Sequence, residues 1–412
     1  MNSTHWGTPG ALVLALACGL PVQAQPAASV GGSIKQGFEA AWARQPEYRG
    51  AGLRRDAATA SEAAAQRWTP EPPALELTAK GDRLTSNTGA REYEAKVAVP
   101  IWLPGEKSRS LAAAHADSGA VEARLFAAQW RLAAEVREAY WTYGKASLDR
   151  SLAQQRLSGS QQLAADVARR VGAGDLARSD SHQAEAAVAA AEGAVAESDA
   201  ALAQAAQRWT ALTGVAPLAV EQLASEARPA DPPADASHPV LQDLVARADV
   251  ARRQAELAAA QTRANPELML GVTRERSDAN ERYAQVLSVA VRIPLGRLSR
   301  SDARIAAAGA EQTEAEAQLL VEQARIGAEA RAASERVKAL ALAVEAAERR
   351  SRLAGESRGF FEKSFRLGET DLPTRLRIEQ EAADAQRQAA RSRIDLAAAV
   401  SQWRQALGLL PQ

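Results

Sequence analysis

The chain has 412 residues, and its 50 basic and 50 acidic side chains cancel to a formal net charge of zero. Its 8 Trp, 5 Tyr and 5 Phe are only 4% of the residues, fewer rings than an ordinary globular core of this length uses. A chain dominated by Ala, Leu, Glu, Gln and Arg predicts long helices packed closely through small side chains, and the absent basic excess argues against a nucleic-acid partner.

The first segment reads as an export signal. Ala11 to Leu20 is an apolar run of ten residues, too short to span a bilayer as a mature helix. Val22-Gln23-Ala24 offers a small-residue cleavage site, so residues 1–24 are expected to be a signal peptide. The stretch before the run has His5 but no Lys or Arg, which is unusual for such a signal. Cys18, the single cysteine, lies inside the run and leaves with it if cleavage follows Ala24. A lipoprotein would instead be cleaved just before Cys18, but Ala15-Leu16-Ala17 matches that pattern poorly. No later run reaches eighteen apolar residues, so no transmembrane helix is expected.

The rest of the chain repeats itself. Pro46 has a counterpart at Pro239, and Leu75-Glu76-Leu77 one at Leu268-Met269-Leu270, both at an offset of 193. Val97-Ala98-Val99 corresponds to Val289-Ala290-Val291, and Trp209 and Gly214 correspond to Trp403 and Gly408. The expectation is two copies of one unit, residues 25–227 and 239–412, joined by a linker at 228–238 rich in Pro and Asp. In each copy a short helix (Glu47 to Trp68 in the first) precedes two strand-like runs, a very long helix, a glycine-containing turn and a medium helix.

The first long helical hairpin is expected at 107–213 and the second at 299–408. Val121, Leu125, Leu132, Val136 and Tyr143 step by 4, 7, 4 and 7, the seam of a coiled coil. The medium helix and the short first helix together match the long one in length. They can stack end to end against it, giving a rod roughly 100 Å long.

The strand-like runs form two expected hairpins, 74–103 and 266–293. Leu75, Leu77 and Ala79 alternate with Glu76, Thr78 and Lys80; Tyr93, Ala95, Val97, Val99 and Ile101 alternate with Glu92, Glu94 and Lys96. Leu287, Val289, Val291 and Ile293 share one face of the second hairpin. Runs of about ten residues with this alternation fit membrane-spanning strands, although a soluble hairpin with one buried face gives the same pattern. Trp68 and Trp102 stand where the first hairpin meets its helices, and Tyr93 and Tyr283 stand near the loop ends, as interfacial aromatics would. Four strands cannot close a barrel, and an open sheet edge in lipid leaves backbone groups unpaired. Spanning strands would therefore demand several copies: eight strands in a dimer, twelve in a trimer.

Two copies of helix, hairpin, long helix and medium helix behind an export signal resemble the TolC-type outer-membrane efflux proteins, over about residues 35–410. The features that carry the resemblance are VAVPIWLPGEKSR after the second strand and the turns RRVGAGDLARSD and FRLGETDLPTRL. IWLPGEKS and the REAYW of Arg137 to Trp141 are most similar to the outer-membrane channels of cobalt–zinc–cadmium resistance systems. The resemblance implies a mainly α fold with a small transmembrane β part: a homotrimer with a twelve-stranded barrel in outer-membrane lipid of a Gram-negative cell and a periplasmic α-helical tunnel. It implies a passive exit duct, not an enzyme, with no cofactor. A resistance-nodulation-division pump of the inner membrane would deliver the cargo through a periplasmic adaptor, or membrane fusion protein, and the cargo would be divalent heavy-metal cations. Export of drugs or proteins, or a soluble periplasmic coiled-coil scaffold, are the rival readings.

By the same resemblance, Arg170, Val171, Gly172, Gly174, Asp175 and Leu176 form one adaptor-docking and gating tip, and Arg366, Leu367, Gly368, Thr370, Asp371 and Leu372 the other. Gly172 and Gly368 are expected to end their helices in the left-handed conformation, and Asp175 and Asp371 to cap the next ones. The acidic ring some relatives carry six residues beyond the glycine is replaced here by Arg178 and Thr374, which leaves Asp175, Asp180, Glu369 and Asp371 as substitutes. Gly355-Glu356-Ser357-Arg358-Gly359 matches the nucleophile-elbow pattern but is placed in a long helix, and His115, His182 and His238 lack metal-ligand spacing.

Overall fold

The computed structural model describes residues 33–84, 87–217, 223–229 and 238–412. The expected signal peptide at 1–24, and all but the ends of the expected linker, lie outside them. Helix α1 (Ile34–Arg44) and helix α2 (Pro46–Gln66) lead into strands β1 (Ala74–Gly81) and β2 (Arg91–Pro100). The long helix α3 (Glu106–Ala173) and α4 (Arg178–Thr213) follow. The second half runs through α5 (Pro239–Ala260), β3 (Glu267–Arg276), β4 (Ala284–Arg292), α6 (Ser301–Arg366) and α7 (Leu372–Ala406).

The two halves share local chemistry. Pro46 and Pro239 both occupy the first turn of their helices, α2 and α5, where a missing N–H costs nothing. Gly214 and Gly408, both at positive φ, stand just past α4 and α7. Helix α1 is an addition that the sequence reading did not resolve. Ser33 and Gln36 close a capping box at its start, and Ile34, Phe38 and Ala41 form its buried face.

Helix α3 has 68 residues, roughly 102 Å at 1.5 Å per residue. Helices α2 and α4 both lie against it, as the length matching requires, and α5 and α7 lie against both α3 and α6. The expected seam is partly buried: Leu125, Leu132 and Val136 are inside, while Val121 and Tyr143 are half-buried. Alanine is the commonest buried residue, as at Ala127, Ala133, Ala139, Ala385 and Ala399, so the helices approach closely through small side chains.

The larger side chains gather at two levels. One cluster joins Ile34 and Phe38 of α1 to Leu132, Val136, Tyr140 and Trp141 of α3, Trp209 of α4 and Ala398 of α7. Beside it sits a buried charge knot absent from the sequence reading. Arg137 is 3% exposed and grips Glu226 bidentately at 2.7 and 2.8 Å. It also donates to the Gln405 side chain and, at 3.0 Å, to the Leu409 carbonyl. Arg404 stands 3.3 Å from the same carboxylate and donates to the Ala227 carbonyl. Tyr140 exchanges hydrogen bonds with both backbone groups of Ala224. The segment 223–229, which the sequence reads as the end of the first copy and the start of a linker, is thus strapped onto α3 and α7.

Candidate membrane sheet and helical tips

The four strands form one antiparallel sheet in the order β1-β2-β3-β4, so the two hairpins join through β2 and β3. Register places Leu75, Val97, Leu270 and Val289 side by side in one row, and Leu77, Ala95, Val272 and Leu287 in the next row of that face. The opposite face carries rows of Glu76, Lys96, Gly271 and Ser288, and of Thr78, Glu94, Thr273 and Val286. Partners in an antiparallel register share a face, so in these central rows one face is apolar and the other mainly polar.

The burial is inverted relative to a water-soluble sheet. On β2 the exposed positions are Arg91, Tyr93, Ala95 and Val97, while Glu92, Glu94 and Lys96 are half-covered. Leu77 and Leu287 are 72% and 76% exposed. Lys96 and Glu94 pair at 2.6 Å, and Lys80 and Glu92 at 3.0 Å, on the polar face. Among the described residues no helix lies across either face, so neither hairpin is buried on the chain's own rods. Among the described residues the outer edges of β1 and β4 pair with nothing.

Of the four aromatic positions, Tyr93 is in the sheet on its apolar face, Tyr283 immediately precedes β4, and Trp68 and Trp102 lie outside the strands near their helix end. Trp68 is 94% exposed, and Trp102 Nε1 donates to the Arg67 carbonyl at 3.2 Å, both at the helix end. At the loop end Tyr93 and Tyr283 meet with ring centroids 6.4 Å apart. From Tyr93 to Trp102 the strand path is roughly 31 Å, or about 23 Å of height at a 40° tilt, close to the apolar band of a membrane barrel. The junction with the helices is held by Glu106, which is 2% exposed. It accepts from the Leu103 amide, Gln261 and Asn265 at 2.8–3.0 Å, tying the two halves together at the base of the sheet.

At the far end of the helices the two turns are brought together. Phe365 is 1% exposed in a cluster with Leu163, Val167, Ala184 and Leu372, onto which Val171 and Leu176 pack. The Arg170 and Arg375 guanidinium carbons stand 5.0 and 4.9 Å from the Phe365 ring centroid, and Arg170 donates to the Phe365 carbonyl at 3.1 Å. Arg170 thus links the first turn to the second. Ser364 and Thr370 hydroxyls bond at 2.6 Å across the second turn. Arg366, Leu367, Gly368, Glu369 and Asp371 are exposed on the second turn, and Gly172, Gly174 and Asp175 on the first.

Two local expectations are corrected. Gly172 is an ordinary helical residue of α3; the left-handed residue is Gly174, at φ 87°, because the helix continues to Ala173. Asp175 does not cap α4. Ala177 holds the cap position, and Asp180 three residues on accepts from its amide at 3.0 Å. In the second turn Gly368 is left-handed at φ 78°, and Asp371 caps α7 by accepting from the Thr374 amide at 3.2 Å.

The Thr374 hydroxyl and amide hold the Asp371 carboxyl below the usual carboxylate range. Its contribution to stability is therefore full above the unfolded value of about 3.9 and is lost as pH falls through the lower folded value. Amide exchange at Thr374 is expected to quicken below about pH 4, and in Asp371→Ala to be fast already at neutral pH. Equal exchange in the two proteins at pH 7 would contradict the cap. Arg170→Ala is expected to cost about 1–2 kcal/mol by removing the ring contact and the carbonyl bond. The check is faster amide exchange in residues 364–372, which Arg170 does not border in sequence.

The elbow-like pattern at 355–359 lies wholly inside α6. Among the described residues no group of three His, Cys, Asp or Glu side chains is placed to hold a metal ion.

The comparisons agree with this architecture. Residues 38–215 match the family model described as "Outer membrane efflux protein". No curated protein sequence matches the chain. Among solved structures, the fold is similar to CusC, described in connection with transmembrane channel formation. The TM-score is 0.76 at 17% identity, over 92% of this chain and 93% of that one. The outer membrane protein VceC of Vibrio cholerae gives 0.72 at 17% identity, over 92% and 97% of the two chains. The open-state MtrE outer membrane channel of Neisseria gonorrhoeae gives 0.70 at 17% identity, over 91% and 89%. Residues 38–215 thus match the outer-membrane efflux family, and the described chain as a whole has the mainly helical fold, with a small β part, of these solved channels.

Proposed function

We propose that the chain is one protomer of an outer-membrane efflux channel, a passive duct assembled from three copies. The observation that carries this is the two-faced sheet: an apolar face open to the surroundings, a largely polar opposite face and, among the described residues, two unpaired edges. In water that face would be a liability, and in lipid the open edges would be. Both difficulties disappear when β4 of one copy meets β1 of the next, the apolar face meets lipid and the polar face lines water. Three copies supply twelve strands, enough for an open lumen where eight are filled by side chains. The long helices then continue the wall into the periplasm, and the paired turns at Gly174 and Gly368 form the end that a periplasmic adaptor and an inner-membrane pump engage. The trimer and these partners are supported by the likeness of fold and of turn sequence.

Divalent heavy-metal cations are the proposed cargo, supported by the IWLPGEKS and REAYW stretches. Export of drugs or proteins is the second reading within the same architecture. Deleting the gene is expected to lower zinc, cobalt or cadmium tolerance and leave drug tolerance unchanged in a strain with no second channel. Drug sensitivity with unchanged metal tolerance would overturn the cargo. For the channel itself, the protein should fractionate with detergent-extracted outer membrane as an oligomer; a monomer released with the soluble periplasm would overturn it.

A further inference from the structure

The loop end of the apolar face changes character within one row. Beyond the row of Leu77, Ala95, Val272 and Leu287, the same face carries Tyr93 opposite Arg274, and then Arg91 opposite Arg276. Two arginines directly opposite one another on a sheet repel. Among the described residues neither they nor Arg274 forms an ion pair. The Arg274 and Arg276 guanidinium carbons stand 4.5 and 4.9 Å from the Tyr283 ring centroid, and Arg276 donates to the Gly89 and Ala279 carbonyls. Arg91 and Arg274 are exposed.

The nearby carboxylates are turned to other work. Asp82 accepts from the Thr88 and Gly89 amides, Glu281 from the Ser277 amide and Asp278 from the Asn280 amide. Glu92 pairs with Lys80 on the opposite face, and Glu275, opposite Glu92 in the register, is on that face too. The result is three cations, backed by two tyrosines, at the boundary of an apolar band and, among the described residues, outside any ion pair. Arginine forks match phosphate oxygens bidentately, and Arg and Tyr at such a boundary sit at the depth of lipid headgroups.

We propose that Arg91, Arg274 and Arg276 form a site on the outer surface of the sheet for the phosphates of an anionic lipid in the leaflet at the loop end. A phosphate group seated between Arg91 and Arg276 turns their mutual repulsion into two attractions. Its acyl chains lie down the rows of Leu77, Val97 and Leu270. The site rests on the membrane reading of the sheet given above.

The test uses the full detergent-extracted oligomer, its flotation with phosphatidylcholine vesicles, and native mass spectrometry with added lipid A carrying two phosphates or none. The protein is expected to float and to retain the phosphorylated lipid at least tenfold more tightly than the dephosphorylated one. Free inorganic phosphate at equal concentration should not displace it. Replacing both free arginines, Arg91→Gln with Arg274→Gln, should remove that preference, and Arg91→Lys with Arg274→Lys should keep most of it. Arg276 is left in place because it braces the loop. A floating protein that does not distinguish the two lipids, or a Gln pair that binds as the parent does, would overturn the lipid site alone. A protein that does not float would overturn the membrane reading and the site with it.

Discussion

Arg137→Ala is expected to destabilise the helical body by about 3–5 kcal/mol, the cost of breaking a buried ion pair by removing one partner. The guanidinium is 3% exposed and bridges Glu226, Gln405 and the Leu409 carbonyl, so its loss orphans two acceptors and leaves the buried carboxylate only Arg404 at 3.3 Å. Glu226→Gln should be comparably severe. Arg137 and Arg404 share that single carboxylate, and two Arg404 nitrogens, Nε and Nη2, already lack a hydrogen-bond partner. Replacing all three together, Arg137→Met and Glu226→Met with Arg404→Met, should recover part of the loss, because well-packed apolar side chains of similar volume remove the desolvation cost without leaving Arg404 unpaired. Denaturant unfolding followed through the Trp130, Trp141 and Trp209 fluorescence reads the difference, and cleavage in residues 223–229 under limited proteolysis reads the strap directly. A single-variant loss below about 1 kcal/mol would mean that water reaches the knot and screens it.

Leu270→Arg should abolish or severely slow membrane assembly, whereas Thr78→Arg should be tolerated. Leu270 lies in the central apolar row between Val97 and Val289, where an arginine at mid-bilayer costs about 2–4 kcal/mol. With several copies in a barrel the cost repeats once per copy. Thr78 lies on the polar face beside Glu94, where a cation gains a partner. The readouts are insertion into vesicles and survival of the oligomer on gel electrophoresis without heating. In a water-soluble sheet the sensitivities would be reversed or equal, so the pair of variants separates the two environments.

The register of the sheet explains why its strands were legible and its assembly was not. Alternation in Leu75 to Lys80 and in Tyr93 to Ile101 specifies two faces from sequence alone. Which face meets what depends on pairing across β2 and β3, between residues that no local pattern connects. The long helices were readable because their seam and the Pro46 and Pro239 starts are local signals. The turns were read one residue class too simply. Gly172 and Gly174 compete for one left-handed position, and the helix takes the later one since the hydrogen bonds of the last turn favour continuing to Ala173. Helix α1 went unread although Ser33 and Gln36 mark its start. The charge knot could not be read at all: Arg137, Glu226 and Arg404 are far apart in the chain and resemble the many solvated charges of neighbouring helix faces. The pairing of Tyr93 with Tyr283, and the arginines around them, likewise appears only once both hairpins share a sheet.

The seam between β2 and β3 joins Arg91 to Arg276, residues 185 apart in the chain. Closing so large a loop is an entropic burden that local hairpin formation does not share, and it grows only slowly with loop length once the ends are brought near. The contacts of α3 with α5 and α7 bring them near. The expected order of folding is therefore rods first, then closure of the seam on a framework already built, with the apolar face continuous only at the end; pulse-labelled amide exchange that protects β2 and β3 before α3 and α6 would contradict it. A chain that folds this way keeps its aggregation-prone surface divided into two small hairpins until the seam closes.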